Sequence, residues 1–372
     1  MIAVIGAGPA GVEAASCLAS AGEKVMLFEK TSDVAANLRD KALLFPDFIR
    51  ASEFIDELAA KLASPNIQLI TDCNIASVEL SSGTSYSKSP MHAETSAITS
   101  IAGTSTHSEK SDSNLHGSDS AIWTLKSSDG RSFTADKVLL ATGYRTFDAR
   151  RKEELGYGIY KGVITSLEME EMLRNRRIVN TIGEAPSRVV FLQCVGSRDA
   201  KVGNHYCSKL CCVTAVKQAM EVRELVPGSE VYVFYMDLRM WGQGFEEMYR
   251  RSQQDFGVNY IRGRISEAAG TFDGKVQIKA EDTLTGIPLK MTTDLLVLMV
   301  GMEASDGTRE LSKSCGICGE YGFAKSIDCR TKDNLTDRSG LFLAGSCKRP
   351  MCISDVIADA RSAAFEILHA CD

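Results

Sequence analysis

At 372 residues, the chain is long enough for two domains of about 150 residues each and a sizeable buried core. Hydrophobic residues make up 44% and charged residues 24%, and 42 basic against 48 acidic side chains leave a net charge of −6, which argues against a general nucleic-acid binder. No apolar run reaches the roughly 18 residues that span a bilayer and the apolar start Met1–Val4 breaks at once into glycines, so a cytoplasmic chain without an export signal or membrane span is expected, and its 12 cysteines then read as metal ligands or redox thiols.

In chain order, residues 2–6 form a short apolar β-run and Ala10–Leu18 a helix of small and apolar residues. A second strand follows at Lys24–Glu29. Phe54, Ile55, Leu58 and Leu62 make the apolar face of a helix, and Ile67–Thr71 and Ile75–Leu80 read as strands. Residues 81–120 break the pattern, with 18 Ser or Thr among 40 positions; this stretch has too few apolar residues to offset the entropy of ordering and is expected to be a disordered insertion in a hairpin that resumes at Ala121–Lys126 and turns at Asp129-Gly130. Lys137–Ala141 is a third strand of the first unit. A second alternation then begins: strand Arg188–Gln193, helix 209–225, strand Glu230–Met236, helix 245–256, strand Val258–Ile261. Strand Leu341–Ala344 and helix Ile353–His369 return to the style of the first unit.

Gly6-Ala7-Gly8-Pro9-Ala10-Gly11 matches the dinucleotide fingerprint in its proper context, between a strand and a helix. Gly6 suits the tight turn, Gly8 the approach of a pyrophosphate, and Gly11 close helix–strand packing, while the helix N-terminus offers N–H donors. Glu29, 23 residues after Gly6, can accept from ribose hydroxyls, and Lys30 follows it. An acidic group there repels a 2′-phosphate, which favours FAD or NAD over NADP.

The segments Asp136–Tyr144, containing Ala141-Thr142-Gly143, and Gly340–Gly345 resemble the second and third flavin segments of the glutathione and thioredoxin reductase superfamily. The resemblance implies an α/β fold with two Rossmann-like dinucleotide-binding domains. Residues 1–150 and 331–372 would enclose FAD, and 151–330 would form the second domain. Ser346 stands after Gly345 where that superfamily usually has an acidic residue, so the ribityl contact would differ.

Where such a reductase opens its second domain with another glycine-rich loop, this chain has cysteines in the pattern C-x12-C-x3-C-C: Cys194 after a strand, Cys207 in a loop, and Cys211 and Cys212 at a helix start. Four thiolates suit an iron–sulfur cluster or zinc, and a helix N-terminus favours their negative charge. A catalytic dithiol or buried packing thiols are the alternatives. Paired C-x2-C knuckles are missing, and a flavin that accepts two electrons calls for a one-electron partner, so a 4Fe-4S cluster is the favoured reading.

Phe191–Asp199, Tyr206–Lys209 and Cys211-Cys212 leading to Ala215–Ala219 resemble the signature of the A subunit of heterodisulfide reductase. Gly244-Phe245-Glu246, Tyr249-Arg250-Arg251, Tyr260–Arg264 and Val300-Gly301-Met302 extend the likeness. That resemblance implies FAD, a 4Fe-4S cluster on Cys194, Cys207, Cys211 and Cys212, and a lysine, here Lys217, on the N5 side of the flavin. It also implies other heterodisulfide-reductase-like subunits and electron carriers as partners; a homodimer is compatible with the superfamily. Larger members carry an N-terminal cluster domain and ferredoxin-like insertions, and the chain resembles compact members without them. The competing readings are a self-contained pyridine-nucleotide disulfide oxidoreductase using Cys207 with Cys211 or Cys212, and a zinc-binding scaffold. Cys315, Cys318, Cys329, Cys347 and Cys352 fit no ferredoxin run and are expected to be packing thiols, and Arg250, Arg251, Arg262 and Arg264 are expected to be solvated or ion-paired.

Overall fold

The computed structural model describes residues 1–80 and 122–370. Its framework is two five-stranded parallel sheets. The first runs in the order Leu341–Leu343, Lys137–Leu140, Ile2–Ile5, Val25–Phe28, Ile67–Ile70. Its central strands are apolar at every position because both faces are covered, as a parallel sheet requires. Val4, Leu27, Leu139 and Phe342 pack on helices α1 (Pro9–Ser20) and α7 (Ile353–His369), while Ala3, Met26, Val138 and Leu341 face the opposite layer. The last strand and helix of the chain thus complete the sheet that the first residues begin.

The second sheet has the order Val163–Thr165, Leu295–Val300, Arg188–Val195, Glu230–Tyr235, Asn259–Arg262. Helices α3 (Ser166–Arg174) and α4 (Cys211–Leu225) cover one face, and α5 (Phe245–Gln254) packs on α4. Of the remaining helices, α2 (Ala51–Ala60) ends earlier than the apolar stripe suggested, with Leu62 in a 3-10 turn, and α6 (Asp306–Ser314) was not foreseen. Two features hide from a helix–strand alternation. Ile265–Gly270, Val276–Asp282 and Ile287–Thr293 form a separate antiparallel sheet, and Tyr144–Thr146 pairs with Met302–Ala304 to tie the two halves together.

The hairpin expected across the Ser-rich insertion is present: Leu80 pairs with Trp123 in antiparallel register, and Trp123 with Ala135. The expectation of disorder for 81–120 concerns residues outside those described. The α4 helix begins at Cys211, two residues later than expected, because Lys209 sits at φ +62 and Leu210 closes the turn.

Gly11 lies where a Cβ would collide with the carbonyl oxygen of Gly6, whereas a Cβ on Gly8 would meet nothing within 4 Å. Gly11→Ala should therefore destabilise the protein by about 1–3 kcal/mol through forced separation of strand and helix, and Gly8→Ala should leave stability nearly unchanged. Urea denaturation of both variants checks this contrast; equal losses would contradict it.

Candidate functional site

The glycine turn borders two neighbouring cavities. One, partly open to solvent, spans about 1210 Å³ and is lined by Gly8, Pro9, Ala10, Lys41, Cys211 and Lys217 among others. The second, about 1460 Å³, is lined by Gly6, Phe28, Glu29, Lys30, Thr142 and Asp306 among others. Gly8, Asn37, Ala141, Gly143 and Tyr144 line both, so one elongated ligand could pass the N-terminus of α1 from one cavity to the other. That N-terminus has Gly8 as its cap and Pro9 in its first turn, with no side chain closing it. Its N–H groups therefore face an approaching anion unblocked.

Glu29 is partly committed. Its carboxylate accepts from the Ala7 amide at 2.9 Å and from the Thr31 amide and hydroxyl at 3.0 Å, which fixes the loop and leaves further lone pairs for a ligand hydroxyl. Gly345 sits at φ +73 and donates its amide to Asp359 at 2.6 Å, while buried Ser346 lines the first cavity. Asp359, which no motif marked, also accepts from Lys348 and Asn334 and so anchors the turn after the final strand.

The four motif cysteines come from three places: Cys194 at the end of a strand and Cys211 and Cys212 at the start of α4 are neighbours, and Cys207 lies in the loop between them. Strand Arg188–Val195 loses register with its neighbour between Leu192 and Val195, and Cys194 in that bulge adopts φ +60. Arg198 and Lys209 are also left-handed, at φ +51 and +62. For side chains with a Cβ such backbone is costly, and it concentrates on the loop joining the cysteines.

Cys194 and Cys211 place their sulfurs 3.6 Å apart. Cys212 donates to Gln193 Oε1 at 3.2 Å and accepts from the Arg239 amide at 3.4 Å, and Cys207 accepts from the Lys209 amide at 3.3 Å. The guanidinium of Arg198 acts on Cys194, Cys207 and Cys212 together. A hydrogen bond from Cys211, against the cost of burial and with help from the Arg239 amide and Arg198, brings the Cys212 thiol down to about 7; Cys211 is pushed up by its two thiol neighbours and by burial.

As placed, no three His, Cys, Asp or Glu side chains among the described residues form a group ready to hold a metal ion. The surroundings nonetheless match an anionic sulfur-ligated group. Buried Gln193 Nε2, Ser197 Oγ and Arg198 Nη1 lack hydrogen-bond partners, and all three are donors on the segment that carries Cys194.

Lys217 lines the first cavity, but its ammonium is not free. It lies 2.7 Å from both oxygens of Glu170 and 3.0 Å from Glu221 Oε2, with its side chain 1% exposed. Glu170 also accepts from the Ala42 amide at 3.0 Å and from Gln218 Nε2 at 2.7 Å. Neither glutamate was singled out in the sequence, where they sit within ordinary amphipathic helix patterns; only the i,i+4 spacing of Lys217 and Glu221 hinted at the pair.

Residues 1–179 match the family model described as pyridine nucleotide-disulphide oxidoreductase. The iron-sulfur A subunit of the CoB--CoM heterodisulfide reductase of Methanocaldococcus jannaschii is 33% identical over 417 residues, covering 98% of this chain and 63% of that protein. The A subunit of the H(2)/formate:CoB-CoM heterodisulfide,ferredoxin reductase of Methanococcus maripaludis is 43% identical over 238 residues, covering 62% of this chain and 36% of that protein. The chain is a homologue of the heterodisulfide reductase A subunit.

It spans less than two thirds of the length of these heterodisulfide reductase subunits. Among solved structures, the thioredoxin reductases of Lactococcus lactis and T. acidophilum superpose with TM-scores of 0.63 and 0.62 at 18% identity, covering 99% and 98% of this chain and 97% and 96% of theirs. They establish the α/β fold expected from the flavin segments. In this heterodisulfide reductase homologue, no helix among the described residues is long and apolar enough to cross a membrane.

The outlying arginines are paired as expected, and three of the five outlying cysteines are buried as packing thiols, whereas Cys318 and Cys329 depart from that expectation. Cys315 and Cys347 are buried in the apolar layer beneath the first sheet, Cys352 is buried near the start of α7, and Cys318 and Cys329 are exposed. Arg250 pairs with Glu247, Arg251 with Asp255 and Arg262 with Asp237, while Arg264 donates to the Arg198 carbonyl.

Burial pushes the Glu221 carboxyl up to about 7, against the pull of Lys217. The folded protein thus holds a proton that the unfolded chain, with a carboxyl near 4.3, has already lost between those two values. Wild-type stability should fall by about 2–3 kcal/mol relative to Glu221→Gln as the pH rises from 5 to 8. Urea denaturation across that range measures it, and parallel curves for the two proteins would contradict it.

Proposed function

We propose that this chain is an FAD and 4Fe-4S electron-transfer subunit of a heterodisulfide-reductase-like complex. The observation that carries the reading is that Cys211, at the start of α4, and the Gly8–Ala10 turn line the same cavity. The thiol site and the dinucleotide site are therefore neighbours.

FAD would supply two-electron chemistry that can be released one electron at a time to a cluster. The chain's own residues provide its setting. Gly6, Gly8, Pro9, Ala10 and Gly11 present the open helix N-terminus to a pyrophosphate; Glu29 and Lys30 flank the second cavity, Ala141, Thr142, Gly143 and Ser346 line one or both, and Gly345 sets the turn before Ser346. Cys194, Cys207, Cys211 and Cys212 would hold the cluster, with Arg198 offsetting its negative charge and Gln193 and Ser197 donating to its sulfurs. Lys217 puts a fixed ammonium on the cavity wall, which favours negative charge gained there on reduction.

The remaining surface would meet other subunits and electron carriers in the cytoplasm. Residues 1–150 with 331–372 would act as the FAD domain and 151–330 as the cluster domain. The contact between the Cys194 and Cys211 sulfurs favours one rival, a dithiol reductase in which this pair exchanges with a disulfide.

Anaerobically purified protein should contain about four iron and one FAD per chain, and Cys207→Ser should lose most of the iron while retaining FAD, because the two sites use separate loops. Metal analysis with flavin absorbance measures both. An iron-free wild-type protein that turns over thiols with a nicotinamide donor would establish the rival instead.

A further inference from the structure

We propose that Glu221 is a proton relay linking Lys217, on the wall of the flavin cavity, to a second, basic cleft that Glu221 itself lines. This rests on the flavin reading of that cavity and adds to it a route for protons.

Helix α4 sets Lys217 and Glu221 one turn apart, with Nζ 3.0 Å from Glu221 Oε2. Lys217 and Glu170 line the flavin cavity; Glu221 does not. Instead it lines another cleft, of about 1510 Å³. Lys41 borders both spaces. The buried Lys217–Glu221 pair thus has one member lining each of two cavities.

The charges around the pair decide which group carries a labile proton. On α4 itself Glu221 is faced by Lys217 and Glu224, and from α3 by Glu170. Its cleft is bordered by Arg39, Lys41 and Arg50 from the segment before α2, Asp56 of α2, and Arg174 and Arg176 at the end of α3. One buried ammonium cannot neutralise two buried carboxylates, and burying the excess negative charge is costly. Glu170 has three partners, Lys217, Gln218 and the Ala42 amide. Glu221 has only Lys217, and its Oε2 lacks a well-directed hydrogen bond. Glu221 is therefore the carboxyl that takes the proton, in keeping with its shift toward neutrality.

Chemistry in the cavity that consumes two electrons and one proton breaks an N–H bond of Lys217. The Glu221 O–H bond then breaks to restore the ammonium, and water in the basic cleft returns a proton to the carboxylate. Both side chains end as they began, with one proton moved from solvent to the cavity. The electrons come from the reduced carrier or subunit of the proposed complex and do not pass through the relay. The arginines bordering the cleft hold the transient carboxylate without supplying the proton, since guanidinium does not deprotonate in proteins.

The test uses the full chain loaded with FAD, photoreduced anaerobically while a pH-indicator dye reports proton uptake. Glu221→Gln should slow uptake by about tenfold to a hundredfold with FAD content unchanged, and Glu224→Gln, at a residue bordering the same cleft, should behave as wild type. Infrared difference spectra of the flavin-free protein should contain a protonated-carboxyl band that titrates near neutrality and is lost in Glu221→Gln. FAD retained with uptake in Glu221→Gln within twofold of wild type would overturn the relay alone. Wild-type protein that retains no FAD would overturn the flavin reading, and the relay with it. Should Glu221→Gln not fold, the wild type still decides: its uptake rate should fall as pH rises past 7, and a rate constant from pH 6 to 9 overturns the proposal.

Discussion

The arrangement depends on one contact, the bulged end of strand Arg188–Val195 against the start of α4. That bulge turns Cys194 out of the sheet at positive φ, and the delayed start of α4 brings Cys211 to within 3.6 Å of it. The strand is central in its sheet and α4 is buried along most of its length, so neither can move without disturbing the core of this half. Because Cys211 also lines the cavity that reaches Gly8, the same contact sets the distance between thiols and dinucleotide site. A flexible loop would not hold such a distance; packed secondary structure does.

Electrostatics follow from that packing. The guanidinium of Arg198, on the loop that joins Cys194 to Cys207, places positive charge beside the thiols of that loop and of α4. In its second turn α4 presents Lys217 to the cavity and buries it against two carboxylates. Burying a cationic side chain is costly unless it is paired, and Glu170 and Glu221 supply the partners. The result is a helix whose first turn brings Cys211 and whose second brings Lys217 to the wall of one cavity.

Much of this was legible in the sequence, and for identifiable reasons. The glycine turn, Glu29, Ala141–Gly143 and Gly345 could be read because backbone approach and tight turns restrict which residues fit. The hairpin across the Ser-rich insertion could be read because Trp123–Lys126 resumes the alternation that Ile75–Leu80 begins. The antiparallel sheet of residues 265–293 escaped, since its strands are half exposed and carry charged residues at alternate positions. Glu170, Asp359 and Glu221 escaped for another reason: their partners lie 47, 14 and 4 residues away, and only burial distinguishes a structural carboxylate from a solvated one.

The most direct test of the account is anomalous diffraction at the iron edge from anaerobically grown crystals. The account places iron within bonding distance of Cys194, Cys207, Cys211 and Cys212, about 2.3 Å from each sulfur by analogy with other metal thiolates, beside a cavity holding FAD. FAD bound next to four iron-free thiols, or next to a Cys194–Cys211 disulfide, would contradict it.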